Sequence, residues 1–352
     1  MKIILSDRKK KILRAVISEN IKKPQAVSSK DLHDKYFEDV SSATIRNELM
    51  ALEEMGYLFQ PHTSAGRVPT VSGFRKYINE LMPEKELSKE EIEELKSQFN
   101  AKISGVEDLA QVVARTLSTV TDYASVVYVN ELLPAVIESV KIVRLTDLDA
   151  IVLVVTDLGV IKDLTISIDE DLTDEDLLTA GKFLTQVVGG MEIGELNSVD
   201  VERELTALAE KYRELFSVVI EAITTREKKP ILKVEGASNL LSQPEYNNPE
   251  QARNTLKLFE SKEVLAPLIQ TGNDVEISIK VGEDENQNCS VVSATYKING
   301  KNVGRAGIVG PVRMDYAKAV SVLKEVNTVI SEEFNEKLKI GKPKGEKNGP
   351  KK

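Results

Sequence analysis

The stretch Ser41–Leu52 carries two faces at helical spacing. Ile45, Leu49 and Leu52 recur at intervals of three and four and form an apolar side. The opposite side holds Ala43 and Asn47, flanked by Thr44, Arg46 and Met50. These types read base edges: Arg forks onto guanine, Asn pairs bidentately with adenine, and an Ala or Thr methyl touches the thymine methyl. Ser41 or Ser42 at the helix start adds a hydroxyl and free backbone N–H groups for a phosphate. A polar face on an isolated surface helix is merely solvated, so neighbouring elements must give this one its task.

The second candidate is His62-Thr63-Ser64-Ala65-Gly66-Arg67. Small residues let this turn approach a nucleic-acid backbone closely, and Arg67 can enter a minor groove or clamp a phosphate. The same residues also suit an ordinary tight turn with an exposed Arg. His62 has no partner base or nucleophile beside it, which points to a phosphate or backbone contact rather than catalysis. Candidate DNA contacts are therefore Ser41, Ser42, Ala43, Thr44, Arg46, Asn47, His62, Thr63, Ser64 and Arg67.

Other chemistries find little purchase. The single Cys289 excludes an intramolecular disulfide and sits in a strand-like run as a small hydrophobe. Two His and one Cys, far apart, suggest no zinc site, and no metal or cofactor is expected. Asp169-Glu170-Asp171 and Asp174-Glu175-Asp176 lack the Gly and closing Glu of a calcium loop and read as acidic helix caps. Gly189-Gly190 lacks the strand–turn–helix setting of a phosphate loop. With no nucleophile–base pair, catalysis is not expected. The rival class is an enzyme with an attached DNA-binding head, such as a ligase that represses its own operon.

The elements around these residues supply the context. Ser6 caps a helix to about Glu19, with Ile12, Leu13, Val16 and Ile17 as its stripe. Ser28 opens a second helix with Asp31 as capping-box partner, and Leu32 and Tyr36 are expected to face inward. The third helix ends near Met55, with Gly56 as a left-handed cap. Tyr57–Gln60 and Val68 read as strands around the turn. Three helices and a tight hairpin form the winged helix-turn-helix order. Gly73–Met82 adds a helix with Phe74, Tyr77, Ile78 and Leu81 on one face. A linker from Met82 leads to a polar helix, Ser88–Asn100.

In the body, helices are expected at Val106–Thr121, Asp174–Val188, Val201–Thr225, Pro249–Phe259, Lys262–Ile269 and Asp315–Leu338. Strands are expected at Ala124–Val129, Ser139–Leu145, Ala150–Thr156, Val160–Ile168, Ile231–Val234, Val275–Val281, Ser290–Ile298 and Val303–Val309. Asp157-Leu158-Gly159 suits a hairpin turn. The class is α+β and multidomain.

The 352 residues suffice for two or three domains, and 41% apolar with 29% charged residues is ordinary for a globular protein. No stretch approaches the ~18 apolar residues of a spanning helix, and no signal peptide opens the chain, so the expected place is the cytoplasm, away from membranes. Net charge is −9, yet residues 1–82 hold 14 Lys and Arg against 10 Asp and Glu, a balance of +4. A basic head on an acidic body suits a protein whose head alone meets phosphate.

Ser41–Glu48 (SSATIRNE), then Leu52–Leu58 and Gln60–Thr70 at this spacing, closely resemble the HrcA family of heat-inducible repressors of chaperone operons. Gly304-Arg305-Ala306-Gly307-Ile308-Val309-Gly310-Pro311-Val312-Arg313-Met314-Asp315-Tyr316 looks like the family's closing strand and last helix. The resemblance implies a winged helix at 1–82 and a linker helix at 83–104. It implies a GAF-like domain in two segments, 105–170 and 260–340, interrupted by a dimerisation insert at 171–259. The strand reading is compatible, with one sheet begun at Ala124–Ile168 and completed at Val275–Val309. The tail 341–352 is basic and expected to be disordered. The resemblance further implies a homodimer on an inverted-repeat operator in double-stranded DNA, with the GroEL chaperonin as a partner. A small effector in the GAF-like domain is the alternative mode of control.

Overall fold

A computed structural model describes residues 5–62, 65–99, 103, 106–130, 135–157, 159–198, 213–224, 231–270, 275–282, 289–298 and 300–334. Thr63, Ser64, Leu158, the first part of the helix expected from Val201, and the basic tail lie outside them.

The head is built from local signals. Helix α1, Asp7–Lys22, starts where the Ser6 hydroxyl accepts from the Lys9 N–H at 3.4 Å. Helix α2, Ser29–Tyr36, opens with the full capping box, Ser28 accepting from the Asp31 N–H and Asp31 from the Ser28 N–H. Helix α3 spans Ser42–Glu54, with Met55 as its C-cap. Gly56 follows at φ +77°, its N–H bonding the Glu53 carbonyl while the Tyr57 N–H bonds that of Leu52. These two bonds are the Schellman closure, which needs the left-handed residue that glycine supplies. Strands β1, Leu58–Phe59, and β2, Val68–Pro69, pair antiparallel. Helix α4, Val71–Glu80, buries Phe74 and Tyr77. One inward assignment fails: Leu32 is buried, but Tyr36 is 41% exposed. Its hydroxyl is drawn outward to donate to Glu19 at 2.6 Å.

Helix α5, Lys89–Gln98, is packed onto the rest of the protein, with Leu95 and the C-cap residue Phe99 fully covered. Helix α6, Val106–Thr121, and strand β3, Ala124–Val129, follow. Strands β4, Ile137–Arg144, β5, Asp149–Thr156, and β6, Gly159–Ser167, come next, then α7, Asp174–Val188, and α8, Arg213–Thr224. Strand β7, Ile231–Glu235, precedes α9, Pro249–Glu260, and α10, Lys262–Ile269. The described chain closes with β8, Ile277–Val281, β9, Cys289–Ile298, β10, Lys301–Pro311, and α11, Tyr316–Val329. A π-helical turn, Ile330–Phe334, ends it. The protein is thus a mixed α+β fold.

The expected single sheet from Ala124–Ile168 to Val275–Val309 is in fact two sheets. One has the order β7-β3-β10-β9-β8 and the other β4-β5-β6, all pairs antiparallel. In sequence the smaller sheet, α7 and α8 lie between β3 and β7, which pair with each other in the larger sheet. Burial gives the reason. All six residues of β3 are buried, as befits a strand covered on both faces, whereas β5 alternates buried with half-buried. On one face of the larger sheet, Val127, Val292 and Ile308 join Val113, Leu117 and Val322 of α6 and α11. On the other, Val126, Val291 and Val309 join Leu265 and Ile269 of α10. The smaller sheet has its own core, where Val140, Val152 and Ile166 meet Leu177, Leu184 and Phe216 of α7 and α8. Cys289 is buried in the larger sheet, and burial pushes its thiol up to about 11, away from reactivity at neutral pH. Among the described residues no helix is long and apolar enough to cross a membrane.

Candidate nucleic-acid interface

Helix α3 turns Ile45, Leu49 and Leu52 into the core of the head, each at most 3% exposed. That fixes the opposite side, and Ala43, Arg46, Asn47 and Met50 all lie exposed there with the whole body in place. Among the described residues neither the Arg46 nor the Asn47 side chain is hydrogen-bonded, so both are available to a ligand. The hydroxyls at the helix start are engaged. Ser41 accepts from the Thr44 N–H at 3.1 Å and meets the Thr44 hydroxyl at 2.9 Å. Ser42 donates to the Ser29 hydroxyl at 3.2 Å, joining α3 to α2. What the helix start offers an anion is therefore its first backbone N–H groups and the positive end of the dipole.

Three contacts hold α3 in its pose. Lys9 of α1 meets Glu48 at 2.7 Å. His33 Nδ1 lies 3.1 Å from the Phe37 carbonyl and 3.0 Å from that of Val40, drawing together the turn between α2 and α3. Glu53 reaches the ribbon, one oxygen accepting from the Gln60 N–H at 3.1 Å and the other meeting Arg67 Nη2 at 2.8 Å. The sequence reading missed His33 and Glu53. Their signal is faint, since each is one polar residue at an element's edge with a partner set by the tertiary fold.

The ribbon's base is also fixed to the chain before α2. Val27 and Arg67 exchange both backbone hydrogen bonds at 2.9 Å. A Cβ on Gly66 would come within 2.2 Å of the Val27 carbonyl oxygen, so only glycine fits this approach. His62 is exposed at the ribbon's tip, its carbonyl accepting from the Ala65 N–H at 2.8 Å. Arg67 does not project as an exposed side chain. It is 13% exposed and turned onto Glu53, so its charge is spent on holding ribbon to helix. The structure thus brings Ser41, Ser42, Ala43, Thr44, Arg46 and Asn47 onto one helix, with His62 on the adjoining ribbon.

The head's positive balance is unevenly free. Lys22 and Lys35 both hold Glu19, at 3.2 and 2.5 Å, and Arg8 and Lys9 approach Glu48. Hydrogen bonds from Lys35 and then Tyr36 lower the Glu19 pKa to about 2.

Residues 107–320 match the family described as the HrcA protein C-terminal domain. A heat-inducible transcription repressor HrcA of Acetivibrio thermocellus is 35% identical over 339 residues, covering 94% of this chain and 96% of the relative. Its counterpart in Pelotomaculum thermopropionicum is 33% identical over 330 residues, covering 91% and 94%. A crystal structure of a hypothetical protein superposes with a TM-score of 0.63 at 24% identity, covering 95% of this chain and 99% of its own, which shows a shared fold.

Proposed function

The chain belongs to the HrcA family of heat-inducible transcription repressors, and from that premise we propose that it acts by reading an inverted-repeat operator upstream of chaperone operons, in the cytoplasm and without catalysis. The observation that carries this reading is the open face of α3, where Arg46 and Asn47 stand exposed beside Ala43 and Met50. In this proposal residues 1–82 are a winged helix-turn-helix. Arg46, Asn47, Ala43 and Thr44 meet base edges, the start of α3 at Ser41 and Ser42 receives a phosphate, and the ribbon of His62, Thr63 and Ser64 lies along the backbone. Arg67 supports the ribbon from behind.

An inverted repeat asks for two heads related by a two-fold axis. The larger sheet with its helices is read as the GAF-like domain, and the smaller sheet with α7 and α8 as the dimerisation insert. Val143 of β4, and Leu145 and Leu148 in the turn that follows it, are about half exposed there, which supports a homodimer through that unit. Sheet pairing also supports dependence on the GroEL chaperonin. Ala124 pairs with Val309, with the whole second sheet between them in sequence. Such long-range pairing folds slowly and leaves apolar strands uncovered meanwhile. The alternative, a small effector inside the GAF-like domain, is less favoured, because the described side chains fill both faces of its sheet.

The test is selection of bound duplexes from a random pool. Two symmetric half-sites are expected in the recovered sequences, and a pool without a consensus would refute the reading. For the chaperonin, operator binding after dilution from denaturant should recover further with GroEL, its co-chaperonin and ATP, and an unfolded competitor should abolish the gain.

A further inference from the structure

Head and body share one core: Phe74 and Tyr77 of α4 lie in the same apolar cluster as Met314 and Tyr316. The rings of Phe74 and Tyr316 are 6.1 Å apart. Two arginines fasten this junction from opposite partners. Arg75 of the head donates from Nε and Nη2 to the Val281 carbonyl at the end of β8, at 3.2 and 2.9 Å. Arg313 of the body donates from Nη1 to the Ile21 carbonyl in the last turn of α1, at 3.2 Å. Ile21 stands at the negative end of that helix's dipole, which favours a cation. The rest of the Arg313 fork is gripped from within the body by Glu245, and by Gln243 Oε1 at 3.1 Å. Its aim at α1 is therefore set before the head arrives. The segment after α4 joins the same seat, since Lys85 meets Asp315 at 2.9 Å.

We propose that Arg75 and Arg313 are positioning residues that fix the orientation of each head on the body, and so set the half-site spacing this repressor accepts. The inference rests on the reading of the chain as a two-headed operator binder. Neither arginine lies on the open face of α3, where base contact is proposed. Without the two clamps the apolar contact and the Lys85–Asp315 pair are left to resist rotation of the head, and a loosened head reaches half-sites over a range of spacings. Rigid linkage concentrates the second binding event at one geometry, whereas loose linkage spreads it and lowers its peak.

The test compares wild type, Arg75→Gln, Arg313→Gln and the double variant on three duplexes: one half-site, the selected operator, and the operator with its half-sites moved apart by about half a helical turn. Wild type is expected to lose about tenfold or more on the shifted duplex. The double variant should lose most of that discrimination by weakening on the selected operator, with unchanged affinity for the single half-site. Spin labels placed through Lys30→Cys on the head and Lys324→Cys on the body should show a narrow distance distribution in wild type and a broad one in the double variant. If the double variant fails to fold by circular dichroism, Arg75→Gln, changed at the surface, carries the same comparison. A full spacing penalty in a folded variant overturns the inference, as does tighter operator binding than wild type, which would mean that the clamps hold the heads away from DNA. Wild type that binds two half-sites no better than one would instead overturn the reading beneath it.

Discussion

Glu53 in the last turn of α3 and Arg67 at the foot of the ribbon face each other at 2.8 Å, and the same carboxylate also accepts from the Gln60 N–H. One side chain thus ties α3 to the ribbon. Replacing Glu53 by Gln, or Arg67 by Ala, should cost about 1 kcal/mol of stability, discounted for partial exposure. The double substitution should cost less than the two added together, because the second change removes a partner already lost. Arg67→Ala should weaken operator binding by letting the ribbon shift, with the salt dependence unchanged. A salt slope lower by about one would show that Arg67 instead neutralises a phosphate. Thermal melts and salt titrations of the three variants decide the point.

Glu19 gives a pH test of the α1–α2 joint. Lys35 first, then Tyr36 and Lys22, favour its charged form and hold its pKa at about 2, below the ordinary 4.5. A carboxylate whose folded pKa is depressed contributes stability that is present above its unfolded value and lost as pH falls through the folded one. Wild type should therefore melt above Glu19→Gln at neutral pH, with the gap closing as pH falls from about 4.5 toward about 2. A gap that is constant across that window would contradict the assignment.

Arg305 is a cation buried in the larger sheet at 5% exposure. Its guanidinium donates to the Val275 carbonyl at 2.7 Å, to Thr295 Oγ1 at 2.9 Å and to Ser293 Oγ at 3.2 Å. Burial lowers its pKa, but the planar fork reaches acceptors on three residues at once. Arg305→Lys should then destabilise by about 1–3 kcal/mol, since an ammonium is one compact point and cannot reach acceptors spread around two separate guanidinium nitrogens. A melting temperature equal to wild type would show that the fork is dispensable.

Much of the head was legible because its instructions are local. Ser6 and Ser28 cap α1 and α2 as read, Ser41 of the two serines at the start of α3 is its cap, Gly56 closes that helix, and the spacing of Ile45, Leu49 and Leu52 fixes which side faces out. The division of the body into two sheets was not read correctly, although the continuous burial of β3 and the alternation of β5 mark different settings. Short apolar runs announce strands without naming their partners, and β3 finds β10 only through the closed fold. The arginine clamps were illegible for a similar reason. Arg75 and Arg313 end on backbone carbonyls, and a carbonyl acceptor has no residue type to look for.

Operator affinity at fixed salt decides whether the open face of α3 reads bases. Wild type, Arg46→Ala and Asn47→Ala would be titrated by fluorescence anisotropy onto the duplex from upstream of the chaperone operons, and onto copies changed at each half-site position. Each substitution is expected to cost about 1–3 kcal/mol of operator binding, to relax discrimination at one position of each half-site, and to leave the melting temperature nearly unchanged. Wild-type affinity and discrimination in both variants would contradict that expectation and remove α3 as the reader.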